Sequence, residues 1–214
     1  MELPTARQTE IMDLAQRLIQ TRGYNAFSFG DLAAALGIKP AAIHYHYPTK
    51  ADLARRLMAR YRQRLLASLA KIDESAATPR RSLERYVQLF QSVARPDNRV
   101  CLCGMLATEL LTLPQAVQED VRQFFADNEA WLARVLGEGR KAKVLEFEGS
   151  SAAAARCLYA ALHGAMLSAH TFADPSRLTT AGRFLLDAVL PAEMDALLDR
   201  FQAQPAGDPW THSP

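Results

Sequence analysis

The feature that most constrains this chain lies in residues 23–50, where Gly23, Gly37, Pro40 and Pro48 cut a helical apolar pattern into very short pieces. Glycine turns left-handed at little steric cost, and proline is tolerated only in the first turn of a helix. Ser28 stands before the first piece with Asp31 three residues on, a carboxylate variant of the capping box, so a two-turn helix runs through Leu32 and Leu36 to Gly37. Pro40 opens a second short helix that reaches about Tyr47, and Pro48 ends it. Longer neighbours flank the pair. From Thr5 to Arg22 the residues Ile11, Leu14, Ala15, Leu18 and Ile19 fall at helical spacing, with Gly23 as the stop. Thr49 caps a helix reaching about Ser75, with Leu53, Leu57, Met58, Tyr61, Leu65, Leu69 and Ile72 on one face. Ala33, Ala34 and Ala35 let helices approach closely. Two short helices joined by a glycine turn have the layout of a helix-turn-helix.

Beyond Ser75 the strand signature of alternating β-branched and aromatic residues is nearly missing, and the chain reads as all-α. Helices are expected at about 79–95, 100–112, 114–138, 150–172, 176–190 and 192–203, punctuated by Pro96, Pro114, Gly149, Pro175 and Pro191. The segment from Gln204, rich in proline, reads as a mobile tail. The expected division is a helix-turn-helix domain over 1–50, a helical effector-binding and dimerisation domain over 51–204, and a tail over 205–214.

Charge sharpens that division. The 214 residues carry a net +2, yet residues 1–64 hold 10 Lys/Arg against 5 Asp/Glu while the remainder holds 15 against 18. A basic segment on a mildly acidic body points to one part that meets a polyanion and one that does not. Three cysteines are too few, and odd in number, for a disulfide framework, which suits a reducing compartment, the cytoplasm. The N-terminus lacks the basic start and apolar core of a secretory signal, and no run approaches about 18 consecutive apolar residues, so no membrane association is expected.

The residues R-x3-I-x3-A-x2-L-x4-G-Y of the first helix, followed by S-x2-D-L-A-x3-G-I-x4-I-H-Y-H-Y-P-x-K-x2-L, resemble the TetR/AcrR type of bacterial repressor over roughly residues 7–57. The resemblance implies phosphate contacts at Ser28 and Lys50 and groove contacts at Lys39, Ala41, Ala42 and Tyr45, with His44 beside them. Lys39-Pro40 replaces the commoner Ser followed by Lys or Arg, and His44 replaces an aromatic residue. These departures bear on base preference and not on fold. The physical reading agrees: a hydroxyl and amide at a helix start favour phosphate, and alanine fits against a thymine methyl. Packing of the short helix onto the first and fourth helices is the competing role for alternate members of His44, Tyr45, His46 and Tyr47. A solvated helix face is the competing role for Arg55, Arg56, Arg60, Arg62 and Arg64.

One short recognition helix contacts little DNA, so a palindromic operator bound by a homodimer is expected, with the helices at 150–172 and 176–190 forming an intersubunit bundle or packing within the chain. In the body the resemblance implies a cavity for a small-molecule effector, with Tyr86, Phe90, Met105, Phe124, Trp131, Tyr159, His163 and Met166 as candidate walls. Cys101 and Cys103 are more distinctive. On a regular helix their directions diverge by about 200°, which opposes a disulfide within the chain, and two thiols without a clustered third ligand fall short of a zinc site. A helix start and Arg99 would make Cys101 reactive.

The run from Cys101 to Glu109, with L-x-x-L-P at 110–114, resembles a branch of electrophile- and oxidant-responsive repressors and implies Cys101 as sensor; His170 stands where such sensors can carry a lysine. The other role for both thiols is that of small buried hydrophobes. No catalytic motif, cofactor fingerprint or metal-spaced histidine set appears. The chain therefore reads as a ligand-responsive repressor without enzyme activity, released by a small molecule, in one version an electrophile. The alternative from another class is a thiol-dependent helical enzyme or a small-molecule carrier.

Overall fold

The computed structural model describes residues 5–93 and 100–190, and among them the chain folds into nine α-helices, one 3-10 turn and no strand. The helices are α1 Ala6–Arg22, α2 Phe29–Leu36, α3 Pro40–His46, α4 Lys50–Ser75, α5 Pro79–Val93, α6 Leu102–Thr108, α7 Gln115–Lys141, α8 Ser151–Thr171 and α9 Ser176–Asp187. No described helix is long and apolar enough to cross a membrane. The expected helix at 192–203 and the tail lie outside the described residues.

Local chemistry sets the first four helices. Reciprocal capping boxes start three of them: Thr5 with Gln8, Ser28 with Asp31, and Thr49 with Asp52. Each satisfies two backbone donors that a helix start otherwise leaves to water. Pro40 occupies the first turn of α3, where its missing N–H costs nothing. Gly37 closes α2 at φ 64°, ψ 32°, and the Ile38 N–H donates to the Ala33 carbonyl at 3.0 Å. Ile11, Ala15, Ile19, Leu32, Ile43, Leu53 and Leu57, all essentially inaccessible, form the core that joins these helices. Burial of each large aliphatic side chain contributes about 1.5–3 kcal/mol, which holds helices too short to persist alone.

One expected element divides in two. The helix anticipated over 100–112 begins only at Leu102, stops at Thr108, and resumes as a 3-10 turn over Leu110–Thr112. Cys101 is the residue before the first turn, with φ −51° and ψ 131°, outside helical space. At the other end Pro114 favours an extended Leu113, at ψ 149°, and the Glu109 side chain is committed to another part of the chain. The remaining boundaries fall within a few residues of expectation, α7 running three residues longer and α9 ending at Asp187.

Helix α7 runs alongside α8, α4, α5 and α6, and α8 packs on α9. The body core is apolar and tight, with Leu102, Leu106, Val117, Leu132, Leu136 and Leu162 fully buried. Helix α6 also touches α1, so it joins the body to the N-terminal helices.

Candidate functional site

Helix α3 divides its side chains sharply. Ile43 is completely buried, and Tyr47 is buried with its hydroxyl donating to the Gln8 carbonyl at 3.3 Å, so Tyr47 belongs to the core. Lys39, Ala41 and His44 are exposed, Ala42 is half-buried, and Tyr45 is 85% exposed. The His44 ring packs edge-on against Phe29, centroids 4.9 Å apart, with Nδ1 3.2 Å from the Pro48 carbonyl oxygen. The outward face is thus two small residues flanked by a cation and a phenol, a shape that enters a DNA major groove without obstruction.

The two residues expected on phosphates are engaged within the chain. The Ser28 hydroxyl accepts the Asp31 N–H at 3.2 Å and donates to Asp31 Oδ2 at 2.7 Å, which holds the Asp31 carboxyl below its usual range. Lys50 is engaged with the loop between α1 and α2. Its ammonium donates to the Tyr24 and Phe27 carbonyls and lies over both rings, 4.4 and 4.1 Å from their centroids. Burial lowers its pKa. Lys50 thus fastens the α1–α2 loop while its side chain stays half-buried.

That loop has a second fastening from the body. Glu109 Oε2 accepts the backbone N–H of Tyr24 at 2.6 Å and of Asn25 at 3.2 Å, and Asn25 Nδ2 donates to Thr112 Oγ1 at 2.7 Å. Gly23, at φ 94°, leaves the space the carboxylate needs, since a Cβ there would stand 2.5 Å from Glu109 Oε1. At the start of α6, Gln20 Nε2 donates to the Val100 carbonyl at 2.9 Å and the Val100 N–H donates to the Gln20 carbonyl at 3.4 Å.

A half-open cavity of about 140 Å³ is lined by residues of α4, α5, α7 and α8 and by Cys101 before α6. Of the expected wall residues, Phe90, Cys101, Phe124, His163 and Met166 line it. Met105, Cys103 and Tyr159 do not: Met105 packs against the core, Cys103 turns to Met58, and Tyr159 is buried beside the wall with its hydroxyl unpartnered. Tyr86 and Trp131 stack on each other, centroids 5.2 Å apart, and the Tyr86 hydroxyl donates to the buried Asn128 at 2.7 Å. A larger cleft of about 290 Å³ between α5 and α9 contains none of the expected residues.

Cys101, 5% exposed, opens onto the cavity with its sulfur 3.5 Å from the Tyr61 hydroxyl. The Cys103 thiol, then the His163 imidazole and the Tyr61 hydroxyl, hold the Cys101 thiol well below its usual range against the opposing effect of burial. Burial and the same pairing push Cys103 well above. Because Cys101 precedes the helix, the divergence expected for two thiols two residues apart on a regular helix does not apply to this pair. Arg99, expected to assist, lies outside the described residues.

Comparison with known proteins places this geometry. A family model described as "Bacterial regulatory proteins, tetR family" matches residues 11–57. A transcriptional regulator of the TetR family from Agrobacterium tumefaciens is 32% identical, with 87% of this chain and 98% of that one covered and a TM-score of 0.83. The chain belongs to the TetR family. A TetR transcriptional regulator from Legionella pneumophila is 28% identical over 88% of this chain and 100% of that one, with a TM-score of 0.78. The HTH-type transcriptional repressor KstR2 of Mycolicibacterium smegmatis is 23% identical over 113 residues, 52% of this chain and 55% of the relative. The chain thus spans about half the length of the curated relatives it matches.

Within this TetR-family chain the sequence reading missed Glu109 as a fastening, Gln20 as its companion, and Tyr61, Leu65 and Asn128 as cavity walls. It also left the α4 arginines as a generic polar face. Arg55 pairs with Asp120 at 3.3 Å, Arg62 with Asp127, and Arg60 with Asp13 at 2.7 Å. A signal was present, since Arg55 and Arg62, like Asp120 and Asp127, are seven residues apart and share a helix face. Part of the basic excess of residues 1–64 is therefore answered by carboxylates of the body.

Proposed function

We propose that the chain is a ligand-responsive transcriptional repressor. It binds a palindromic operator in the cytoplasm as a homodimer, through residues 1–50, and is released by a small molecule or by modification of Cys101 within the body, residues 51–204. The observation that carries this reading is the position of α6. Its N-terminal cap, Cys101, opens onto the cavity, and its C-terminal cap, Glu109, holds the α1–α2 loop that leads into the helix-turn-helix. A change in the cavity therefore has a short mechanical route to the DNA-binding helices.

Lys39, Ala41, Ala42, His44 and Tyr45 form the surface toward the bases in this reading, and the N–H groups at the Ser28 cap meet phosphate. Leu167, Phe172 at 61% and Phe184 at 72% exposure leave apolar surface on α8 and α9 that a second copy covers. Two copies place their recognition helices in successive major grooves about 34 Å apart. An effector that binds one conformer more tightly by a few kcal/mol shifts the population away from that spacing.

The test is a mobility-shift titration on DNA upstream of the chain's own gene at several salt concentrations. Binding that weakens steeply with salt, is lost in Tyr45→Ala, and is released by N-ethylmaleimide in the wild type but not in Cys101→Ser is the expected pattern. No shift at low salt refutes DNA binding, and equal release from Cys101→Ser refutes the sensor role.

A further inference from the structure

The cavity beside Cys101 is lined by Tyr61, Leu65, Leu89, Phe90, Phe124 and Met166, an apolar and largely aromatic wall. The polar groups set into that wall are already committed within the chain. Asn128 Oδ1 accepts the Tyr86 hydroxyl at 2.7 Å and its Nδ2 donates to the Phe124 carbonyl at 2.8 Å, while the Ser68 hydroxyl donates to the Arg64 carbonyl at 2.9 Å. The Tyr61 hydroxyl lies 3.5 Å from the Cys101 sulfur, and His163 holds Nδ1 3.4 Å from the Tyr159 carbonyl oxygen with Nε2 buried. Arg64 is the exception. It lines the cavity and is exposed, and among the described residues no carboxylate lies within ion-pair distance of it, whereas Arg55, Arg60 and Arg62 on the same helix each have one. No aspartate or glutamate among the described residues lines the cavity.

From this imbalance we infer that the cavity takes a small aromatic carboxylate, its ring within the apolar wall and its carboxylate at the open side on Arg64. The inference rests on the reading of this cavity as the effector site and adds the chemical class of the effector. An apolar cavity of about 150 Å³ holds benzene, so one of 140 Å³ accommodates a single ring. The Tyr61, Phe90 and Phe124 rings suit an aromatic guest, which they meet edge-on or offset. A polyhydroxylated guest fits poorly, because each hydroxyl buried against a wall with no bond to offer loses its hydration uncompensated. A cation meets the like charge of Arg64 and no opposing carboxylate. A carboxylate matches the planar guanidinium through two parallel N–H···O bonds, and the open side leaves its remaining lone pairs to water. Binding is reversible and breaks no bond. Because Cys101 opens onto the same space, a bound ring and a reagent for the thiol compete for it.

The test is a calorimetric titration of the full-length chain, without DNA, with benzoate, benzamide and benzylamine, which share one ring and differ in charge. Benzoate should bind at least about fivefold more tightly than benzamide, the upper end for an exposed ion pair, and benzylamine most weakly. Added salt should weaken benzoate and leave benzamide unchanged. Arg64→Gln, at an exposed position, should bring benzoate down to the affinity of benzamide, with circular dichroism confirming the fold. Benzoate should also slow alkylation of Cys101 by iodoacetamide in proportion to its occupancy, which places the ring in this cavity. Absence of benzoate binding, equal affinity for benzoate and benzamide, full benzoate affinity in Arg64→Gln, or binding that leaves the Cys101 rate unchanged overturns the assignment. A chain that binds benzoate in this manner but shifts no DNA refutes the repressor reading alone.

Discussion

Glu109 Oε2 accepts the Tyr24 backbone N–H at 2.6 Å across 85 positions of sequence. One carboxylate at the end of a body helix thereby completes the backbone of the loop that leads into the helix-turn-helix.

Replacing Glu109 with Ala leaves the Tyr24 and Asn25 donors without their acceptor. The expected loss is about 1–3 kcal/mol of stability by urea denaturation, with Glu109→Gln losing less because its amide oxygen still accepts. In the repressor reading Glu109→Gln also lowers the ratio of DNA affinities with and without Cys101 modification, a readout that simple destabilisation does not move.

Lys39 and Lys50 should respond oppositely to salt. Lys39→Ala should lower the slope of log affinity against log salt by about one, because its side chain is free at the start of α3. Lys50→Ala should leave the slope unchanged and lower the unfolding midpoint, since its charge sits on the loop carbonyls. A reduced slope in Lys50→Ala would return that residue to the phosphate backbone.

Tyr45 and Tyr47 separate recognition from folding. Tyr45→Ala should leave stability within about 0.5 kcal/mol of wild type, because the ring is exposed, while weakening DNA binding. Tyr47→Ala should cost about 3–5 kcal/mol through the cavity left between α3 and α1.

The thiols predict a distinct pH profile. The Cys101 thiol is held below its usual range, so its alkylation by iodoacetamide should persist as pH falls below about 8.5, where an ordinary thiol becomes protonated. Cys103→Ala removes the largest stabilising donor and should move the inflection of the Cys101 rate to higher pH. Cys103, pushed upward by burial, should stay unreactive through the same range. The stability contributions have opposite signs. That of Cys101 is present above the unfolded thiol pKa and lost as pH falls through its folded value, and that of Cys103 is present at low pH and lost as pH rises. An inflection for Cys101 at the ordinary thiol value refutes the assigned environment.

Signals confined to a few adjacent residues were legible. Ser28 with Asp31, Thr49, Gly37 and Pro40 each determine their own backbone, and the structure places all four in the expected roles. The start of α6 was not legible, because Cys101 precedes the helix without a side chain that caps it. The Lys50 contacts were not legible for a related reason: whether an ammonium meets loop carbonyls depends on a loop folded beneath it. The Glu109 and Met58 contacts span dozens of residues, and no local spacing encodes them. Of the cavity, the aromatic and histidine walls on α7 and α8 were anticipated from residue type, and the α4 wall was not, because Tyr61 and Leu65 looked like ordinary members of an apolar stripe.

The paired bridges Arg55–Asp120 and Arg62–Asp127 act as two pins on one seam, separated by about 10.5 Å of helix. Each exposed pair contributes little energy alone. Together they make sliding of α4 along α7 break both at once, whereas a tilt about the pinned line stretches neither. In the repressor reading this leaves α4 one soft direction, an angular swing about the pinned line.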